Sequence, residues 1–227
     1  MTKLRFSLIG AFLIVLVPST SATGTVAGTA TCGGQPATIV GTAKADVIRG
    51  TNRRDVIQAF AGADRVDGRG GRDLICGGAG NDRLLGGRKR DTINGNRDAD
   101  ILIGGLRADT LRGGAGSDDL SGSRGNDRLS GGSARDVVRG ERGDDRVGGG
   151  VNGDTVSGGR GADYLYGYKG RDSLSAGPGA DHALGGPDDD RIDTVDLVGG
   201  NDFLGGGDGS DTCTFDLGDR RRSCELP

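Results

Sequence analysis

A nine-residue repeat constrains the fold of this chain more than any other feature of its sequence. From Gly41 to Asp193 the chain divides into seventeen units of nine residues without a single insertion. The sixth position of every unit is Asp, the first is Gly in fifteen units, and the eighth is Ile, Leu or Val in sixteen. An amphipathic helix needs about three or four apolar positions in every two turns, and this repeat offers too few. The repeat therefore excludes a helical fold.

The same pattern predicts a coil made of short strands and tight turns. Units such as GGAGNDRLL from Gly77 begin with a glycine-rich turn, because glycine adopts the positive φ angles that other residues resist. The three residues after Asp predict a short strand whose middle side chain points to one face. Two units close one flattened coil, and stacked coils align the aliphatic side chains in two buried columns. The predicted fold class is all-β: a right-handed parallel β-roll, or β-solenoid, of nine-residue repeats, capped at both ends.

The composition agrees with many turns and a small core. Gly accounts for 48 residues, and the acidic residues are almost all Asp, with Glu only at Glu141 and Glu225. Asp and Gly are turn-forming residues, whereas helical surfaces use Glu freely. Aromatic residues make up 4% of the chain, which excludes a globular enzyme with a broad aromatic core.

The first residues predict an export signal. Lys3 and Arg5 precede a continuous apolar run from Phe6 to Val17, which Pro18 ends. The run is short for a membrane span, although a retained anchor is the alternative. We expect a secreted, extracellular protein with no membrane span in the mature chain. The predicted segments are a signal peptide (1–22), an N-terminal cap (23–40), the β-roll (41–193), and an irregular repeat with a disulfide-closed C-terminal cap (194–227).

The repeated aspartates form two predicted ladders, because units eighteen residues apart stack on the same edge of the roll. The Asp46 ladder contains Asp46, Asp64, Asp82, Asp100, Asp118, Asp136, Asp154, Asp172 and Asp190. The Asp55 ladder contains Asp55, Asp73, Asp91, Asp109, Asp127, Asp145, Asp163 and Asp181. Carboxylates ~4.8 Å apart repel by about 3.5 kcal/mol at an effective dielectric constant of about 20. Oxygen ligands and exposed turn carbonyls favour Ca²⁺ rather than Zn²⁺ as the neutralising ion. Alternatively, each Asp caps its own turn through a backbone hydrogen bond.

The repeat resembles the hemolysin-type calcium-binding (repeats-in-toxin) proteins over residues 41–193. The flanks TCGGQPATIVGT at 31–42 and SDTCTFDLGDRRRSCE at 210–225 resemble the ends of secreted actinobacterial members. The resemblance implies a parallel β-roll with Ca²⁺ between the turns of successive coils. Each ion would be shared by the Asp of one unit and its counterpart eighteen residues on. The formal net charge of −3 departs from the strongly acidic character of many members.

The fourth position of the repeat separates strong from weak candidate calcium sites. Gly occupies it in nine units, whereas Lys44, Arg53, Lys89 and Arg107 occupy it in four others. Lys and Arg resist a positive φ, so we expect their turns to change shape and their charges to neutralise the neighbouring Asp. Turns with Gly, Asn or Asp at this position retain the shape more easily. The predicted calcium ligands are Asp127, Asp145, Asp163 and Asp181 on one edge and Asp64, Asp82, Asp118 and Asp172 on the other.

The four cysteines support export, because an even count in a secreted protein indicates disulfides. Cys32 and Cys76 lie near the start of the roll, and Cys213 and Cys224 lie beyond its end. A bridge between the two groups would have to span the rod, which exceeds the ~7 Å limit between Cα atoms. We therefore predict Cys32–Cys76 and Cys213–Cys224, with an N-terminal cap folded over the first coil. Free or metal-binding thiols are the alternative.

Few features of the sequence favour catalysis. His182 is the only histidine and falls at an outward strand position, and the common hydrolase and phosphate-binding motifs are absent. Tyr164, Tyr166 and Tyr168 lie close together, where they either contact a glycan or protein or merely cover the strands. We expect a non-enzymatic calcium-binding protein that acts as an extracellular structural, adhesive or interaction module. Its expected partners are calcium ions and an extracellular or cell-envelope molecule, and no nucleic acid. A degenerate relative or accessory module of a secreted hydrolase or toxin, and a stand-alone calcium buffer, are the alternatives.

Overall fold

The computed structural model describes residues 30–196 and 201–224, which contain 23 β-strands and no helix. The strands are β1 (Thr31–Cys32), β2 (Gln35–Pro36), β3 (Ile39–Val40), β4 (Val47–Arg49), β5 (Val56–Ala61), β6 (Arg65–Asp67), β7 (Leu74–Ala79), β8 (Arg83–Arg88), β9 (Thr92–Arg97), β10 (Ile101–Leu106), β11 (Thr110–Ala115) and β12 (Asp119–Arg124). They continue with β13 (Arg128–Ser133), β14 (Val137–Arg142), β15 (Arg146–Val151), β16 (Thr155–Arg160), β17 (Tyr164–Lys169), β18 (Ser173–Ser175), β19 (His182–Pro187), β20 (Arg191–Asp193), β21 (Phe203–Asp208), β22 (Thr212–Thr214) and β23 (Arg220–Arg222).

Two parallel sheets make up the roll, as the repeat predicts. Even-numbered strands from β4 to β22 form a ten-stranded sheet, and odd-numbered strands from β3 to β23 form an eleven-stranded sheet. In the central coils neighbouring strands pair eighteen residues apart, so that Leu102 lies beside Leu120. The all-β parallel β-solenoid is therefore confirmed. Both sheets extend beyond residues 41–193, through β3 at one end and β21 to β23 at the other. Among the described residues, no helix exists that could cross a membrane.

The core is a continuous stack of the aliphatic side chains at position eight. Side chains from both sheets meet between them, and Leu102, Leu111 and Leu120 are completely buried. Burying one such side chain stabilises a fold by about 1.5–3 kcal/mol. Each coil contributes only two of these residues, so a coil is stable only through its neighbours.

The central strands are six residues long, rather than the three that the sequence predicts. Strand β10, for example, continues from Ile101 through the glycine-rich start of the next unit to Leu106. Its ladder skips Gly104 and resumes with Gly105 paired to Ser123. Gly105 has a φ of 113°, so the strand bends there without losing its bonds to the next coil. The first half of each predicted turn therefore belongs to the sheets.

The predicted disulfides and the folded-over cap are confirmed. Cys32 is bonded to Cys76 and Cys213 to Cys224. Strands β1 and β2 form an antiparallel pair, and Cys32 of β1 packs together with Ala37, which follows β2, against Val56 on the eleven-stranded sheet. This packing brings Cys32 beside Cys76, which is 44 residues further along the chain. The predicted signal peptide lies outside the described residues.

Candidate metal sites

Each repeat aspartate after the first of its ladder has one carboxylate oxygen bonded to the neighbouring coil. The backbone N–H of Asp145 donates to Oδ1 of Asp163 at 2.8 Å, and the N–H of Asp163 donates to Oδ1 of Asp181 at 2.7 Å. The same bond begins at every repeat aspartate from Asp46 to Asp190, with lengths of 2.6–3.0 Å. These bonds join the turns along each edge of the roll. From Asp64 onwards, one oxygen of each ladder carboxylate is thus structural, but it caps the preceding coil rather than its own turn.

The second carboxylate oxygen is buried and has no hydrogen-bond partner in fifteen of the seventeen repeats. These fifteen repeats run from Asp64 to Asp190, and the carboxylates of all eight predicted calcium ligands belong to them. A buried polar atom without a partner costs about 1–3 kcal/mol, and more when it is charged. Fifteen such atoms in two regular columns require a common partner, and a cation meets that need.

The first turn on each edge closes without such a partner. Oδ2 of Asp46 accepts the backbone N–H of Thr42 at 2.6 Å and its hydroxyl at 2.9 Å. Oδ2 of Asp55 accepts the N–H of Thr51 at 2.7 Å and its hydroxyl at 3.0 Å. These two carboxylates therefore already have protein donors in place of a cation. The hypothesis that each Asp caps its own turn holds for these two units.

The Asp55 ladder also closes at its far end. The N–H of Asp202 donates to Oδ1 of Asp219 at 3.3 Å, and the N–H of Asp216 donates to Oδ2 of Asp219 at 2.9 Å. Protein donors thus serve both oxygens at the two ends of this ladder. The unpartnered oxygens lie in its interior.

The expected effect of Lys and Arg at position four is wrong for two of the four residues. Lys89 and Arg107 have φ angles of 82° and 83°, so their turns keep the positive φ that most of the glycine-bearing turns have at this position. Lys44 and Arg53 do not adopt a positive φ, and theirs are the two turns that threonine closes. The shape of a turn therefore depends on its place in the stack as well as on the residue at position four.

No position-four cation of the described residues forms a salt bridge with a ladder aspartate. The two salt bridges of the described residues are Arg139–Asp119 and Arg171–Asp189, and neither includes a ladder carboxylate. The cations that favour ladder carboxylates electrostatically are at position five, where Arg54 acts on Asp73, Arg90 on Asp109 and Arg135 on Asp154. Their influence is secondary to desolvation in each case. Each of these arginines precedes one ladder Asp but acts on the next Asp of the same ladder, so the pairing follows from the stacking of coils and not from adjacency in the sequence.

Burial makes the ladder carboxylates poor acids. Desolvation raises the pKa of Asp109 to about 8 and the pKa of Asp145 and Asp181 to about 7. The pKa of Asp163 is raised to about 6 by the same cause. Backbone hydrogen bonds to Oδ1 lower these values, and neighbouring ladder carboxylates raise several of them. A bound cation would stabilise the charged form and offset the desolvation.

The eight predicted ligands share one environment, and other ladder aspartates outside that prediction have it too. Burial raises the pKa of Asp64 to about 7, that of Asp118, Asp127 and Asp172 to about 6, and that of Asp82 above its ordinary value. Asp202 and Asp211 continue the ladders beyond the repeat, accepting the N–H groups of Asp181 and Asp190. Their spacing of nine residues, the same as in the repeat, is the sequence feature that could have identified them as ladder members. The other omitted members are Asp73, Asp91, Asp100, Asp109, Asp136, Asp154 and Asp190.

The residues present fit calcium. All candidate donors are oxygen atoms, and the described residues contain no group of three or more His, Cys, Asp or Glu side chains placed to hold a metal ion by themselves. The carboxylates must therefore be supplemented by carbonyl groups, as the mixed oxygen coordination of Ca²⁺ allows. The turns crowd their carbonyls against the next coil, since a Cβ on Gly143 would lie 1.8 Å from the carbonyl oxygen of Gly125. We infer that ladder Oδ2 atoms and nearby turn carbonyls would hold the ion.

Two parallel sheets joined by turns with buried carboxylate columns define a β-solenoid with oxygen-lined cation sites. The family model of the RTX calcium-binding nonapeptide repeat matches seven segments: residues 40–75, 77–111, 95–129, 112–147, 121–156, 148–183 and 169–196. The chain belongs to this family of calcium-binding repeats. The comparison with curated proteins found no match.

Proposed function

We propose that the protein is an exported calcium-binding β-roll that performs no catalysis and serves as an extracellular structural, adhesive or interaction module. The observation that carries the proposal is the double column of buried Oδ2 atoms without hydrogen-bond partners. Calcium fastens successive turns by neutralising these atoms, and the roll then presents its outer faces to an extracellular or cell-envelope partner.

Two further observations support export and a non-catalytic role. Two disulfides are typical of proteins that fold in an oxidising compartment. The carboxyl groups with raised pKa values are buried inside stacked turns, where a substrate would have no access to them. A general acid or base must lie within hydrogen-bonding reach of its substrate, so these groups serve an ion better than a reaction.

Calorimetric calcium titration of the protein and two matched variants tests the proposal. Asp163→Asn keeps a carbonyl oxygen for the hydrogen bond of Asp145 but removes the charge that would bind calcium. We expect it to lower the number of bound ions by about one or two, because neighbouring coils share each ion. Asp55→Asn is the control, since Thr51 already serves its Oδ2, and its stoichiometry should stay unchanged. Equal losses in both variants, or no calcium binding by the parent, would overturn the proposal.

A further inference from the structure

The outer face of the eleven-stranded sheet differs in charge from the rest of this acidic protein. On strands β5 to β21 the side chains at positions seven and nine lie on either side of the buried position eight, and the end of each six-residue strand adds further exposed side chains. No Asp or Glu occupies these two positions on the described strands of this sheet, whereas Asp67, Asp119 and Asp193 occupy them on the ten-stranded sheet. The eleven-stranded sheet presents five arginines at these positions: Arg112, Arg128, Arg146, Arg220 and Arg222. The ten-stranded sheet presents five as well, so the two faces differ there in their carboxylates and not in their number of arginines.

The same face collects the aromatic side chains of the roll. All three tyrosines and the only histidine of the chain lie on β17 and β19. The rings of Tyr164 and His182 are stacked with centroids 4.8 Å apart, and Phe203 continues the row 5.6 Å beyond His182. The guanidinium of Arg146 covers the other side of Tyr164 at 5.3 Å. No other row of stacked aromatic rings occurs on the described strands, so the row distinguishes this face from the rest of the roll.

A groove separates the arginines from the remaining tyrosines. Tyr166 and Tyr168 are stacked with centroids 5.7 Å apart, and Tyr168 is 54% exposed. The ring of Tyr168 lies over Gly148, where a Cβ would be 2.9 Å from Cε2 of the tyrosine. Gly148 therefore leaves a depression, with a volume of about 230 Å³, between the tyrosines and the side chains of Arg112, Arg128 and Arg146.

We propose that this arginine–tyrosine groove binds an acidic polysaccharide, a chain of sugar residues that carry carboxylate groups. Arginine forks bind carboxylates in a bidentate manner, and the groove contains no carboxylate of its own to compete. The hydroxyl groups of Tyr166, Tyr168 and Ser130 suit the hydroxyl groups of a sugar. The inference rests on the proposed extracellular interaction module and names the chemical class of its partner.

The arrangement of the rings favours a sugar chain over single-stranded nucleic acid. Bases bind such nucleic-acid sites by stacking on an open aromatic face. Both faces of Tyr164 are already covered, by Arg146 on one side and His182 on the other. Tyr166 and Tyr168 stack on each other, so each of these rings also has one face covered.

Calorimetric titration of the calcium-loaded protein with tetragalacturonate tests the groove. The matched probes are cellotetraose, which is neutral, and the oligonucleotide (dT)4. The double variant Arg128→Gln with Arg146→Gln should bind tetragalacturonate at least about tenfold more weakly, because two charge-assisted contacts are lost. The double variant Arg65→Gln with Arg83→Gln is the control, since these arginines occupy the same position of adjacent strands on the ten-stranded sheet. Its affinity should stay within about twofold of the parent.

Three outcomes would overturn the inference: no binding of tetragalacturonate, equal losses in the two double variants, or cellotetraose or (dT)4 binding at least as tightly. Calcium stoichiometry, measured on the same samples, separates this inference from the proposed function. If the parent protein binds calcium but not tetragalacturonate, only the inference about the groove is overturned. A parent that binds no calcium overturns the proposed function itself.

Discussion

At the scale of the residue, the ladder aspartate performs two tasks with its two oxygens. Oδ1 accepts a backbone N–H from the preceding coil, and this bond lowers the pKa of the carboxyl. Oδ2 lies in the same buried turn with no donor, and burial raises the pKa more than the hydrogen bond lowers it. The hydrogen bond to Oδ1 therefore holds the carboxyl in place, whereas Oδ2 has no hydrogen-bond partner. This division is what makes a charge-removing Asn substitution a specific probe.

Asp109 tests whether a turn with Arg at position four binds calcium. Arg107 has a positive φ, as do eight of the nine glycines at this position, and Oδ2 of Asp109 has no hydrogen-bond partner. We therefore expect Asp109→Asn to lower the calorimetric calcium stoichiometry as Asp163→Asn does. An unchanged stoichiometry would instead support the sequence-based expectation that Arg107 and Lys89 replace the ion.

The calcium-free protein should lose stability as the pH rises. Ladder pKa values of about 6 to 8 in the folded state lie above the ordinary value of 3.8, as for Asp109, Asp145 and Asp163. Because the folded state binds these protons more tightly, their stabilisation is fully present below pH ~4 and is lost as the pH rises through about 6 to 8. Without calcium, we expect the melting temperature to fall between pH 5 and pH 8, within the same interval. Saturating calcium should flatten the profile, and a flat profile without calcium would contradict the ladder titration.

At the scale of the element, the turn shows how far the sequence predicts this molecule. The repeat predicts the sheets, the position-eight core and both ladders, because each is set by residues that recur in every unit. It fails at Lys89 and Arg107, whose unfavourable φ costs about 1–2 kcal/mol each. Those turns are held between coils above and below, whereas Lys44 and Arg53 belong to the first turn of each edge. The sequence of a single unit does not show where that unit lies in the stack.

Threonine at position two is the sequence signal of a closed turn. It occurs only in the first two units, at Thr42 and Thr51, where its N–H and hydroxyl both serve Oδ2 of the ladder aspartate. The sequence also does not predict that the row from Arg146 to Phe203 is stacked. It shows only that the tyrosines are close together, because Phe203 follows the break in the repeat. Long-range register, rather than local pattern, places that ring.

Replacing Thr51 with valine tests the closed turn. The variant removes the hydroxyl donor to Oδ2 of Asp55 but keeps the backbone donor and the side-chain shape. We expect the free energy of unfolding to fall by about 1 kcal/mol, with calcium stoichiometry unchanged. The exposed Thr155→Val on β16 is the control and should have little effect. Thermal melting in saturating calcium, together with titration, measures both quantities, and a variant as stable as the parent would show that the hydroxyl bond is dispensable.

At the scale of the whole molecule, calcium should determine whether the roll is folded. Each coil contacts only its neighbours, so stability depends on every interface along the stack, and the disulfides secure only its two ends. Each tenfold rise in free calcium above its dissociation constant should add about 1.4 kcal/mol per bound ion. We expect chelation to abolish the strand signal in circular dichroism or to lower the melting temperature steeply. Magnesium at equal ionic strength should not restore stability, because Mg²⁺ demands a near-ideal octahedron and keeps its water. If magnesium restores stability, the stabilisation by calcium is charge screening and not specific binding. If chelation leaves the melting temperature unchanged, protons keep the buried carboxylates neutral.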